Sequence, residues 1–373
     1  MRHDICNRLG IEFPLFAFSH CRDVVAAVSR AGGFGVLGGT RFTPDGLEAE
    51  LDWIERHCNG RPFGVDIIFP ENLVVREVET PAQILGRLPS AHRAFVETLL
   101  AKHGLDFSVE SGLAGMVQAS QPEIGEQLLE AAFRHPIKLV ANALGIAPQS
   151  MIDRAKAAGV PVAALVGSKE HAVRQVAAGV DIIVAQGTEA GAHCGEVSSL
   201  VLVPEVVRAV REVRDVPVLA AGGIVTGQQM AAVMAMGAAG AWTGSIWLAT
   251  SESEVSETFR EKMVAARSRD TVRSRARTGK PCRQLRSAWH DAWEGADAPS
   301  PLGMPLQGYL SIPALNLAEQ AADRGDREAR ALVSYYVGQG VGLIEHVRPA
   351  TAVVQTFKEE FAEALEDLQT LVA

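Results

Sequence analysis

The sequence has no stretch approaching the unbroken apolar run of about eighteen residues that a membrane span needs. Its opening, "MRHDICNRLGIEFPLF", has no signal-peptide hydrophobic region. Cysteine is scarce. Cys6, Cys21, Cys58, Cys194 and Cys282 are odd in number and contain no Cys-x-x-Cys pair, so neither a disulfide framework nor a zinc site is indicated. Together these absences lead us to expect a cytoplasmic protein in a reducing compartment, without a membrane segment or a structural metal. An excess of basic charge is missing as well. With 35 Lys and Arg against 44 Asp and Glu, the formal net charge of -9 argues against a general nucleic-acid or membrane-surface binder. Small anionic ligands remain open through local sites.

What is present is a globular composition, 47% hydrophobic and 21% charged over 373 residues, enough for a large core. Length alone does not choose between two or three ordinary domains and one large barrel with additions. Periodicity does. Short apolar runs recur at 14–18, 34–39, 63–69, 138–144, 161–166, 181–187, 217–223 and 240–244. Between them lie stretches such as "RDVVAAVSRAG" and "KEHAVRQVAAG", with apolar residues three and four apart and a closing glycine suited to a helix C-cap. Strand-helix alternation with nearly continuous apolar strands predicts a parallel sheet covered by helices. Eight strands in about 245 residues suit a closed (β/α)₈ TIM barrel, whose usual size is roughly 250 residues. An open doubly wound sheet is the alternative.

Two segments do not fit the repeat. We expect residues 1–69 and 137–250 to form the barrel, and 70–136 to be a helical insertion after the third strand, either a lid on the catalytic face or a plain structural addition. Residues 251–373 are expected to be a mostly helical C-terminal region packing on the barrel.

Three places carry chemistry. The seventh and eighth strands end in "AAGGIVTG" and "WTGSIW". In TIM barrels these two loops frequently bind phosphate, and Gly222, Gly223, Gly244 and Ser245 suit that role: glycine allows close backbone approach and serine adds a hydroxyl donor. The sixth strand runs into "DIIVAQGTEAGAHCGE", where Gly187, Gly191 and Gly195 predict a bendable loop that is neither strand nor helix. The stretch "RSRDTVRSRARTGKPCRQLR", residues 267–286, concentrates arginine. Its default reading is a solvated helical face. The alternative is a clamp on an anionic substrate or on nicotinamide phosphates, from Arg277, Lys280 and Arg283. Interleaved aromatics are lacking, which disfavours nucleic acid. "GFGVLG", residues 33–38, matches the dinucleotide fingerprint only in letters, because a helix precedes it and a strand follows, the reverse of the required order.

"AQGTEAGAHCGE", "VPVLAAGGI", "GAAGAWTGSIWLA" and the early "FPLFAFSH" with "VSRAGGFGVLGG" resemble the nitronate monooxygenase family, formerly 2-nitropropane dioxygenases, which includes the flavin-dependent enoyl-ACP reductase II enzymes. The resemblance covers residues 10–69 and 137–252 and fades in the insertion and the C-terminal third. It implies an FMN-bearing barrel, with the flavin phosphate at Gly222, Gly223, Gly244 and Ser245. Ring contacts are implied from the end of the first strand, Ala17, Phe18 and Ser19, and from Asp66, Gln186 and Gly191. His193 matches the family's proposed catalytic base, and an imidazole is suited to taking a proton from a weak carbon acid or, as a cation, to holding an anionic nitronate. Three positions depart from the family pattern: "AFSH", Ala17 to His20, after the first strand; Asp66 where asparagine is common; and Ala192 where glycine is usual. His20 is expected near the same mouth as a substrate contact. Glu189 is expected to bond loop amides, and Cys194 to be a small neighbour.

The activity implied by the resemblance is oxidation of alkyl nitronates with O2 to a carbonyl compound and nitrite, without metal. One alternative is an NAD(P)H-dependent flavin reductase acting on an enoyl thioester or quinone. Another is a flavin-binding protein without turnover. A homo-oligomer is compatible with all three.

Overall fold

The computed structural model describes residues 4–69, 80–114 and 124–372. Its strands are β1 (Leu15–Ser19), β2 (Phe34–Gly38), β3 (Phe63–Asp66), β4 (Val140–Asn142), β5 (Val162–Val166), β6 (Ile182–Gln186), β7 (Ala192–His193), β8 (Val218–Ala221), β9 (Gly240–Thr243), β10 (Thr271–Ser274) and β11 (Cys282–Leu285). β1 to β6, β8 and β9 close into a parallel barrel, each lying on one of the eight apolar runs, with β1 ending one residue beyond its run at Ser19. Closure is made by β1 against β9, with Leu15, Phe16 and Ala17 opposite Ala241, Trp242 and Thr243.

Alternation along each strand sorts side chains between two cores. Phe16, Phe34, Val36, Leu139, Ala141, Ala163, Ile182, Val184, Leu219, Ala221 and Trp242 pack inside the barrel. Leu15, Ala17, Leu37, Val65, Val140, Val162, Ile183 and Val218 face the helices. The interior is filled unevenly. Phe16 meets Phe34 at 5.2 Å and stacks on Trp242 at 6.0 Å, whereas β4 and β5 contribute alanines. The N-terminal helix Asp4–Leu9 joins the interior core through Ile5, Cys6 and Leu9.

The helices begin and end on local signals. Thr226 and Gln229 form a capping box before helix Gly227–Ala235, and Ser168 caps helix Lys169–Ala178, which stops at the left-handed Gly179. The final helix, Ala350–Val372, clamps the barrel. Glu360 accepts the Gly227 amide at 2.6 Å, Lys358 donates to the Ala31 carbonyl at 2.8 Å, and Phe361 meets Phe13 edge-on at 5.5 Å.

Of the insertion, residues 70–79 and 115–123 lie outside the described residues. Its helices Ser90–Lys102 and Val109–Ala114 pack against helix Leu306–Asp323 of the C-terminal region. Phe95 meets Trp293 at 4.8 Å, and His92 Nε2 lies 2.9 Å from the Ser300 carbonyl. No helix among the described residues is long and apolar enough to cross a membrane.

Two expectations are corrected. The arginine-rich stretch is a β-hairpin, β10 with β11, not a helical face. The glycine-rich loop after β6 contains a short strand, β7, which pairs antiparallel with β11. Glycine freedom predicts a loop when only the loop is considered. Here a partner 85 or more residues away supplies the ladder hydrogen bonds, and tertiary pairing overrides the local preference.

Candidate functional site

In a (β/α)₈ barrel the loops after the strands share one face, and the loops after β4, β5 and β6 here enclose a cavity of about 420 Å³. Gly145, Gly167 and Ser168 form one wall, and Gln186 with His193 and Cys194 the other. Asn142 shapes the first wall: its amide donates to the Gly145 carbonyl at 3.2 Å while its oxygen accepts the Phe69 amide at 3.0 Å. Gln175 donates to the same carbonyl at 2.8 Å.

His193 is held from outside the barrel. Its strand register places it opposite Cys282 of β11, and Nε2 lies 2.9 Å from Thr278 Oγ1. Thr278 Oγ1 is also 3.1 Å from the Lys280 carbonyl, which can only accept. With the hydroxyl hydrogen directed there, Nε2 carries the ring proton and donates to Oγ1, and Nδ1 is the basic nitrogen. Nδ1 has no hydrogen-bond partner among the described residues. Burial, reinforced by the nearby Lys280 ammonium, pushes the imidazole down to about 4, so it is neutral at pH 7.

The cavity's charge is one-sided. Arg174 and Lys280 line it, with His171, and no carboxylate does so among the described residues. Among the described residues, neither the Arg174 nor the Lys280 side chain has an ion pair or hydrogen bond. The clamp envisaged from Arg277, Lys280 and Arg283 therefore reduces to Lys280. Arg277 is buried, donating to the Ser334 carbonyl at 2.8 Å beneath the Tyr336 ring, and Arg283 donates to the Thr188 carbonyl at 3.0 Å. Arg283 ties the hairpin to the loop that carries His193, and Arg277 ties it to the C-terminal segment at Ser334.

On the other side of that loop stand the candidate phosphate residues. Gly222 and Gly223 follow β8 with φ of 105° and 74°, a left-handed pair that glycine alone adopts freely. The neighbouring strand β9 ends at Gly244, and Ser245 opens the short helix Ser245–Leu248. Ser199 Oγ lies within 3.2 Å of the Ala221 and Gly222 carbonyls, and Glu189 accepts the Ser199 amide at 3.0 Å, so the expected backbone role of Glu189 is what its contacts make.

The C-terminal segment around residues 337–340 was missed by the sequence reading, although its "VGQGVG" spacing is a visible glycine signal. Ser245 Oγ accepts the Gly338 amide at 2.8 Å and the Gln339 amide donates to the Glu189 carbonyl at 2.8 Å. Gly191, expected against a flavin ring, packs on the backbone of Val337 and Gly338 and does not line the cavity.

The remaining positions lie around the mouth on the β1 to β3 side. Ala17 points to the outer core; Phe18 packs against the interior core and meets the His20 ring edge-on at 5.2 Å. Ser19 Oγ accepts the Cys21 amide at 3.1 Å. His20 Nδ1 lies 3.0 Å from the Gly38 carbonyl, and the ring is so close over Gly38 that a Cβ there would collide with it. Burial lowers the His20 pKa, and His20 does not line the cavity that holds His193. Asp66 is 2% exposed, neither carboxyl oxygen makes a well-formed hydrogen bond among the described residues, the Ala143 amide being the nearest donor, and burial pushes it up to about 7. An orphaned buried carboxyl at a barrel mouth, a glycine cradle at β8 and β9, and a histidine between them fit a bound group that spans the mouth.

A model of the nitronate monooxygenase family matches residues 9–360, running through the insertion and most of the C-terminal third, where the sequence motifs had faded. A Mycobacterium tuberculosis protein provisionally named as a monooxygenase is 50% identical over 378 residues, covering 100% of both chains. A Staphylococcus aureus protein provisionally named as a nitronate monooxygenase is 26% identical over 379 residues, 98% of this chain and 99% of the relative. Among solved structures, nitroalkane oxidase from Streptomyces ansochromogenes superposes with a TM-score of 0.77 at 28% identity, covering 98% of this chain and 99% of that one. FabK from Thermotoga maritima does so with 0.73 at 28%, covering 100% and 99%.

Proposed function

The chain belongs to the nitronate monooxygenase family, whose members are flavin-dependent oxidoreductases, and we propose that it binds FMN and oxidises alkyl nitronates with O2 to a carbonyl compound and nitrite. In that reaction the carbon–nitrogen bond breaks, the carbon gains an oxygen atom and the nitrogen leaves as nitrite; with one water consumed, nitronate, O2 and water balance to carbonyl compound, nitrite and hydrogen peroxide. The flavin supplies two-electron redox chemistry with O2 as final acceptor. Gly222, Gly223, Gly244 and Ser245 would hold its phosphate, and Asp66, Gln186 and the backbone at Ala17 to Ser19 would border its ring.

The observation that carries the substrate assignment is the charge of the cavity. His193 is neutral at pH 7, while the basic side chains of Lys280 and Arg174 have no ion pair or hydrogen bond among the described residues. An anionic nitronate is therefore attracted by Lys280, and His193 meets it as a neutral hydrogen-bonding group. A histidine near 4 is also a weak acceptor for a carbon-bound proton, which favours the substrate that has already lost it. Neutral nitroalkanes are the slower class on this reading, with His193 Nδ1 taking the proton.

Arg174 and Lys280 also suit a nucleotide phosphate, and the likeness to FabK gives the second reading, an NAD(P)H-dependent reductase of an enoyl thioester or quinone, one specific support. Anaerobic mixing separates the readings. Bleaching of the bound flavin by nitronate alone supports the first, bleaching only by NADH or NADPH supports the second, and bleaching by neither leaves a flavin-binding protein without turnover.

A further inference from the structure

Asp66 ends β3 on the inside of the barrel. Phe63 and Val65 of the same strand belong to the outer core, so Gly64 and Asp66 alternate with them toward the interior. Around the carboxyl, β2 presents Gly38 and β4 presents Ala141, with the Ala143 amide as the nearest polar group. The His20 ring lies over Gly38, and Arg41 acts on His20 from beyond it. Among the described residues no charged side chain acts on Asp66 itself. Both oxygens are buried without a hydrogen-bond partner among the described residues.

A carboxyl in this setting has few stable options. An ionised carboxylate with no cation beside it and only the Ala143 amide to favour it is disfavoured, and burial accordingly outweighs that amide and pushes Asp66 up to about 7. Protonated, the same group becomes a hydrogen-bond donor with nothing to donate to. A ligand bound at the mouth would offer acceptors, and the oxidised flavin ring carries carbonyl oxygens and ring nitrogens that accept. The site thus lacks what a flavin brings. The asparagine common at this position in the family could also donate, yet it has no proton to gain or lose.

We propose that Asp66 donates a hydrogen bond to the flavin ring through a protonated carboxyl, so that cofactor binding takes up a proton. This rests on the FMN reading given above. Linkage fixes the sign: if the bound state holds the proton and the free state is half-ionised near pH 7, about half a proton is taken up there, and FMN affinity falls as pH rises further. The limiting slope is about tenfold in Kd per pH unit.

The test uses the full apo-protein and FMN itself. Kd is measured by flavin fluorescence between pH 7 and 9, above the phosphate's own titration near pH 6, which is shared by all variants. Wild type should weaken steadily over this range, and Asp66→Asn should bind FMN with a flat profile. Calorimetry of wild type at pH 7.5 in two buffers of different ionisation enthalpy counts the protons without any variant, and uptake is expected. A flat wild-type profile with no proton exchange overturns the proposal. Proton release on binding also overturns it, because Asp66 would then be an ionised acceptor. If wild type binds no FMN at any pH, the cofactor reading fails first, which is distinguishable from a pH-independent Kd.

Discussion

His193 Nε2 and Thr278 Oγ1 lie 2.9 Å apart, joining a loop of the barrel to a hairpin from the C-terminal region. Thr278 is a positioning residue, since it orients the imidazole and fixes which nitrogen is protonated. Thr278→Val should leave FMN content and folding intact while lowering nitronate turnover, by up to about a hundredfold if the ring swings away. Thr278→Ser, which keeps the hydroxyl, should recover most of the loss. Steady-state kcat beside flavin content measures both, and equal loss in the two variants would show that bulk rather than the hydroxyl matters.

The pH behaviour of His193 follows from two causes, burial first and Lys280 second, both of which disfavour the imidazolium. Activity that needs the neutral ring should therefore hold down to about pH 4 to 5. Lys280→Met removes the second cause and should move the acid limb of kcat/KM to higher pH, still short of the ordinary value near 6.5 because burial remains. Stability carries the same signature. Between about 6.5 and 4 the unfolded chain binds a proton that the folded chain refuses, so this group's contribution is full above 6.5 and is lost as pH falls through that window. His193→Asn should abolish the limb. Turnover of neutral nitroalkanes should then fall roughly 10²–10⁴-fold, and that of pre-formed nitronate much less. An unmoved limb in Lys280→Met would show that the ammonium does not act on the ring.

The sequence made the barrel legible because the barrel strands are buried on both faces over most of their length. Runs such as Ile182–Ala185 then read as continuous apolar segments, and the helices between them end on glycines such as Gly159 and Gly179. Gly222 and Gly223 were legible for a local reason also, since their left-handed φ is a property of the residue type. Thr278 and Gln339 were not. Thr278 reaches the site through a pairing between β7 and β11, and residues 338–340 through backbone contacts with Ser245 and Glu189; neither leaves a periodic trace in the chain. The arginine hairpin misled for a related reason. Charge composition suggests exposure, whereas Arg277 and Arg283 are buried because carbonyls and a tyrosine ring satisfy them.

Ala192 has φ of 60°, in the left-handed region that costs a residue with a Cβ about 1–2 kcal/mol. Ala192→Gly removes that strain but loosens the unfolded chain by about 0.4–1 kcal/mol, so the net effect should be neutral to slightly stabilising. Ala232→Gly, at an exposed position within helix Gly227–Ala235, should instead destabilise by about 1 kcal/mol. Denaturant midpoints of the two variants decide this, and a comparable loss in both would mean that Ala192 is not strained.

The pigment released from the purified protein should be FMN and not FAD. Gly222 and Gly223 follow β8, and Gly244 and Ser245 follow the neighbouring β9, so on the proposed reading the four would make a single phosphate cradle. The glycines at 33–38 lead into and form β2 instead of opening a helix, so they offer no second phosphate site for an adenine dinucleotide. Gly223→Val probes the cradle directly, because a β-branched residue at φ of 74° is strained and places its side chain beside Glu189, the residue that holds the Ser199 amide. The barrel's two cores do not include this position, so the variant should fold and lose flavin. Chromatography of the released pigment, with circular dichroism and flavin absorbance of the variant, tests the assignment. FAD in the wild type would place the adenine half in a site not yet described, and full FMN retention by folded Gly223→Val would move the phosphate away from β8.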